Sequence, residues 1–157
     1  MKNRAFTLIE LLVVVLIIGI LAAIAVPQYQ VAVMKSKYST LKAKTKALAQ
    51  AVHSYKLANG KEPTYIEDLD ISFGDIKESN AGIFTFKDYS YCMFWRDGQN
   101  MAACFFANSE MAFYFKTDML KPMLCYSRTD VAKKVCLQET GKADTCPKDA
   151  SYCTYAY

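Results

Sequence analysis

Catalytic and metal-binding patterns are what this 157-residue sequence has least of. It holds one histidine, His53, with no cysteine or acid close by to share a metal or a proton. A lone histidine of that kind is ordinarily a packing or surface residue. There is no nucleophile elbow, no phosphate-binding loop and no metalloprotease pattern. The six cysteines are 12, 21, 11, 10 and 7 positions apart, so none makes the close Cys-x2-4-Cys pair of a structural zinc site. Glu67-Asp68-Leu69-Asp70 is acidic but lacks the spaced ligands and the glycine of a calcium loop. These absences argue against an enzyme, and neither a cofactor nor a metal is expected.

Two further absences divide the chain. No acid occurs between residues 28 and 58, where six lysines lie: Lys35, Lys37, Lys42, Lys44, Lys46 and Lys56. Residues 59–157 carry 11 basic and 14 acidic side chains, a balance of −3 within an overall charge of +4. A basic helix followed by an acidic head is not the uniform basic field of a nucleic-acid binder. No cysteine precedes Cys92. An even number of spread cysteines behind an export-type segment reads as disulfides formed in an oxidising compartment.

That segment is the most distinctive part of the chain. Met1-Lys2-Asn3-Arg4-Ala5 is short and basic, and Phe6 to Val26 is apolar apart from Thr7 and Glu10. As a helix those 21 residues span about 31 Å, enough for a bilayer core. An ordinary signal peptide, cut near Ala23-Ile24-Ala25, has a shorter apolar run and no acid near its start. A plain anchor leaves Glu10 unexplained, because a carboxylate in hydrocarbon costs several kcal/mol and is normally kept for a partner.

Beyond Pro27 the apolar pattern becomes one-sided. Val31, Met34, Tyr38, Leu41, Thr45, Leu48, Val52 and Tyr55 advance by threes and fours, a stripe on one helical face. The stripe predicts burial against a head; a homodimeric coiled coil is the alternative, for which Thr45 and two tyrosines make a poor seam. Asn59-Gly60 is a helix stop. Residues 59–82 read as a polar loop with a short helical turn at Ile66–Leu69.

From Ile83 the texture is β: aromatic-rich runs at Ile83–Phe86, Tyr89–Trp95, Met101–Phe106, Met111–Lys116 and Pro122–Tyr126. Arg96-Asp97-Gly98-Gln99-Asn100 reads as a hairpin turn, and Asn108-Ser109 and Asp118 as two more. With Gly98 at the centre of the first, Cys92 and Cys104 face each other across the hairpin, close enough to bond. Cys125, Cys136, Cys146 and Cys153 then allow three pairings, of which Cys125–Cys136 with Cys146–Cys153 is the most local. Thr129 caps a short helix reaching Cys136, and the tail from Leu137 shows no periodicity. The expected class is α+β: a long N-terminal helix, membrane-spanning in its first half, packed on an antiparallel β-meander with a disulfide-stapled tail.

Ala5-Phe6-Thr7-Leu8-Ile9-Glu10, between a basic leader and a long aliphatic run, resembles the processing motif of type IV prepilins and pseudopilins. The resemblance covers roughly residues 1–30. It implies that residues 1–5 are a leader removed by a prepilin peptidase on the cytoplasmic side, between Ala5 and Phe6, and that the new amine of Phe6 is methylated. The residue before the cut is usually glycine in this family; here it is Ala5, also small. Flanking charge does not set the orientation, since more lysines follow the span than precede it; the cytoplasmic N-terminus follows from the resemblance. Glu10 is then expected to neutralise the Phe6 amine of a neighbouring subunit during assembly. Gly19 and Pro27 bracket Ile20–Val26, the stretch expected to extend in the filament.

The resulting organisation is a leader (1–5), a transmembrane and assembly helix (6–27), an amphipathic helix (28–58), a connecting loop (59–82) and a β head with a cysteine-rich end (83–157). The implied function is a structural pilus subunit for adhesion, twitching motility or DNA uptake. The alternative is a pseudopilin of a type II secretion or competence system; the cysteine-rich tail and aromatic head favour the pilin. The implied partners are copies of itself in a helical filament, the prepilin peptidase, the assembly machinery and inner-membrane lipid before assembly. DNA or a host surface is a further implied partner. The implied location is the bacterial inner membrane and then the extracellular pilus.

Overall fold

The computed structural model describes residues 7–95, 99–147 and 150–157. Its organising element is one helix, α1, over Leu8–Asn59. At about 1.5 Å per residue its 52 residues extend about 78 Å. It ends where the sequence places the stop: Gly60 takes the left-handed conformation (φ 65°) and donates its N–H to the Lys56 carbonyl at 2.9 Å. A residue with a Cβ pays for that conformation and glycine does not.

Seven antiparallel strands follow in simple sequential order: β1 (Ile76–Asn80), β2 (Ile83–Phe86), β3 (Tyr91–Phe94), β4 (Met101–Phe105), β5 (Met111–Lys116), β6 (Lys121–Ser127) and β7 (Cys153–Ala156). A second helix, α2, covers Asp130–Thr140 between β6 and β7. The Thr129 side chain caps it by accepting the Ala132 N–H at 3.2 Å. It continues one turn past Cys136, the end expected from sequence, because the stop is again a left-handed glycine, Gly141.

The meander is longer at both ends than its sequence pattern indicates. β1 lies inside the segment read as loop. Its Ile-Lys-Glu-Ser-Asn sequence holds a single apolar residue, so the period-two signal is missing; pairing with β2 makes it a strand. β7 lies in the tail read as irregular and pairs with β6 from Leu124↔Ala156 to Ser127↔Cys153. β3 begins at Tyr91 rather than Tyr89, whose φ of 61° belongs to a turn. Within the Arg96–Asn100 turn, Arg96, Asp97 and Gly98 lie outside the described residues.

The stripe on α1 buries against the sheet, which answers the coiled-coil alternative. Tyr38, Leu41, Thr45, Leu48, Ala49 and Val52 are buried with Phe84, Phe86, Phe113 and Phe115. The polar members of the stripe have partners. Thr45 donates its hydroxyl to the Leu41 carbonyl at 2.8 Å, and the Tyr38 and Tyr157 hydroxyls hydrogen-bond at 2.8 Å. Burial and that bond push the Tyr38 phenol well above its ordinary pKa. The opposite sheet face carries a smaller aromatic layer, with Tyr91 stacked on Phe105 at 4.6 Å and Trp95 on Tyr114 at 5.8 Å. Burial there pushes the Tyr114 phenol up to about 12.

Candidate functional site

The first half of α1 has no partner within the chain. The apolar window near its start is 0% buried, and Leu8, Ile9, Leu16, Ile20 and Ile24 are 58–82% exposed. Fourteen large aliphatic side chains from Leu8 to Val26 stay in this state. Covering each is worth about 1.5–3 kcal/mol, so even half-exposed they represent a driving force on the order of 20 kcal/mol toward lipid or other helices. The second half of the same helix is held in the core. The molecule is therefore a packed head with a projecting apolar rod.

Ala5 and Phe6 lie outside the described residues. Glu10 lies at the tip of the rod, where it closes a capping box. Its Oε2 accepts the Thr7 N–H at 2.8 Å and the Thr7 hydroxyl at 2.6 Å, while the Thr7 Oγ1 accepts the Glu10 N–H at 3.3 Å. This role was readable in Thr-x-x-Glu before an apolar run, a signature separate from the processing motif. The carboxylate thus has a local partner in the single chain and remains fully exposed to a second one.

Gly19 has open space where a Cβ would stand, and no side chain of the chain packs against it. Pro27 lies inside α1, which runs through it without a break in the isolated chain. Proline withholds the N–H that would bond the Ala23 carbonyl, so this turn lacks one helical hydrogen bond.

Three disulfides join the cysteines of the head: Cys92–Cys104, Cys125–Cys136 and Cys146–Cys153, with Cα separations of 4.0, 5.6 and 5.7 Å. The first links directly paired residues of β3 and β4. The second ties α2 to β6, and the third closes the tail onto β7. His53 is half-buried on α1. Among the described residues no group of three or more His, Cys, Asp or Glu is arranged to hold a metal.

The lysine face of α1 is partly used by the chain's own head. Lys42 and Lys35 both pair with Glu139 of α2, the latter at 3.8 Å. Lys56 pairs with Glu62 at 3.1 Å, and the Lys44 amine lies 3.8 Å from the Phe86 ring centre. In the sequence this face is marked by six lysines and no acid between residues 28 and 58. The head folds back over it, so Lys37 and Lys46 are the two lysines of the six without an ion pair or ring contact among the described residues.

The apolar helix follows a short basic segment in the sequence and carries Glu10 near its start. Residues 1–26 match the prokaryotic N-terminal methylation motif. The chain is 49% identical over 60 residues to the type IV major fimbrial protein FimA of Dichelobacter nodosus, covering 38% of each chain. It is 54% identical over 54 residues to the type IV major pilin protein PilA of Myxococcus xanthus, covering 34% of this chain and 24% of that one. It is 45% identical over 69 residues to the type II secretion system core protein G of Pseudomonas aeruginosa, covering 44% and 49%. The family model matches the first 26 residues, and the chain spans less than half the length of each of these relatives.

Proposed function

We propose that this chain is a structural subunit of a type IV pilus, made as a prepilin and assembled into a filament through its N-terminal helix. The observation that carries the reading is the unpartnered rod: an apolar helix exposed on every side and continuous with a disulfide-bonded head. Such a rod requires lipid before assembly and other copies of itself afterwards, because water leaves its driving force unsatisfied. The role is structural rather than enzymatic.

In this reading residues 1–5 are the leader, cut between Ala5 and Phe6 by a prepilin peptidase that then methylates the Phe6 amine. The subunit waits in the inner membrane with its head outside the cytoplasm, and assembly moves it into the extracellular filament. Glu10 meets the Phe6 amine of a neighbour, exchanging its Thr7 contacts for a full opposite charge. Ile20–Val26, between Gly19 and Pro27, extends as subunits pack.

The test is to shear surface filaments from cells expressing the chain and identify the main component by mass spectrometry. A mature chain starting at methylated Phe6 is expected. A start after Ala25 overturns the reading. The likeness to the secretion core protein favours a second one, a pseudopilin. Mature chain confined to the inner membrane, with loss of protein secretion on deletion, would select it.

A further inference from the structure

Where the rod enters the head, α1 and α2 flank an open, shallow groove of about 660 Å³. Its lining is mostly apolar, with Ile24, Pro27 and Val31, and Lys35, Lys134 and Gln138 supply polar groups. We propose that this groove holds the headgroup of an anionic phospholipid of the outer-facing leaflet while the subunit waits in the membrane. The inference rests on the membrane-spanning role proposed above for the apolar half of α1.

Three observations specify a lipid rather than another occupant. The first is continuity. Ile24 belongs to the exposed apolar span, so the groove opens from the hydrocarbon boundary, and an acyl chain along Ile24 has its phosphate near the lysines. Tyr29, 71% exposed just past Pro27, is the kind of aromatic residue that marks the headgroup level. The second is direction. Cα–Cβ bonds of a helix tilt toward its N-terminus, so the Lys35 stem starts toward the membrane, and Lys35 lines the groove together with Ile24 and Val31. The third is charge. Lys134 has no ion-pair partner among the described residues, and Lys35 shares Glu139 with the closer Lys42. This corner therefore keeps a surplus of positive charge facing the lipid. A lysine near an anionic surface is worth about fivefold in affinity, so the pair is worth roughly thirtyfold.

The full chain is placed in nanodiscs of mixed phosphatidylcholine and phosphatidylglycerol, released, and examined by native mass spectrometry for retained lipid. Wild type is expected to retain phosphatidylglycerol in preference, and Lys35→Gln/Lys134→Gln to lose that preference roughly thirtyfold. Lys61→Gln/Lys87→Gln, on lysines outside the groove, is expected to keep it. Both variants are first checked for unchanged thermal unfolding. Equal retention of the two lipids by wild type, or an unchanged preference in the groove variant, overturns the headgroup site alone. Chain dimers without lipid, insensitive to salt, would put a second copy in the groove and also overturn it. Alkaline extraction separates the underlying reading: a chain washed from the bilayer has no membrane helix, and both proposals then fall together.

Discussion

Replacing Cys125 and Cys136 together by alanine tests whether the head depends on its disulfides for chain entropy or for packing. Closing that loop, with a sequence separation of 11, removes about 2.8 kcal/mol of unfolded-state entropy at 25 °C. The Cys146–Cys153 loop, with a separation of 7, comes to about 2.5 kcal/mol. On entropy alone the two bridges are nearly equal. Their surroundings differ. Cys125 and Cys136 are 0% exposed and join α2 to β6 inside the main core. Cys146 and Cys153 are half-exposed in the tail. Losing two buried sulfurs adds a void of about 1 kcal/mol or more, whereas the tail can relax. The expected losses are therefore about 3–5 kcal/mol for Cys125→Ala/Cys136→Ala and at most about 2.5 kcal/mol for Cys146→Ala/Cys153→Ala. Urea unfolding of the full chain in detergent would measure them, followed by the fluorescence of Trp95, the single tryptophan, which stacks on Tyr114 beside the sheet. Equal losses from the two variants would refute the packing part of the reasoning. A larger loss from the tail variant would make β7, rather than α2, the element the core depends on.

Leu48→Ala should cost about 3–4 kcal/mol in the same assay, because Leu48 is 0% exposed between α1 and the sheet; a cost under about 1 kcal/mol would mean that the helix–sheet seam collapses freely. At Glu10 a pair of variants separates the cap from the charge. Glu10→Gln retains the capping geometry and should leave amide exchange at Leu8–Leu12 unchanged while abolishing most filament assembly; Glu10→Ala should lose both. Normal filament yield from Glu10→Gln would reduce Glu10 to a helix cap. Acid should weaken the head. The Ser90 hydroxyl, with the Ser90 N–H, holds Asp88 below the usual carboxylate range, and Lys133 does so for Asp144. Groups with lowered folded pKa values contribute stability that is complete above the unfolded pKa of about 4 and is lost as pH falls through the folded values. The urea midpoint should therefore be flat from pH 7 to about 5 and fall below about 4, less steeply in Asp88→Asn.

What could be read in advance follows the range of the interactions involved. The span, the stripe, the stop at Gly60 and the cap at Thr129 are local, set by spacing and by single residues with one conformational talent. The polar groups that Tyr38 and Thr45 bring into the stripe are satisfied by a tertiary bond and a backbone bond. β1 and β7 were not readable, because edge strands of four or five residues carry little pattern of their own. The pairing of the lysine face within the chain was not readable for a related reason: the position of Glu139 against Lys42 depends on α2 packing 97 residues further along the chain.

The sequence by itself determined that this chain has a membrane-compatible helix with Glu10 near its start, continuous with an amphipathic half and followed by an aromatic β head. Those features depend on periodicity, length and hydropathy, which neighbours in sequence suffice to create. Only the tertiary structure decided that the sheet has seven strands, that the Tyr38 hydroxyl bonds that of Tyr157, and that α2 folds beside Pro27 to form a groove lined in part by lysine. Each needs residues distant in sequence or a precise side-chain geometry, and the free energy that selects them arises only when the two faces of the core meet.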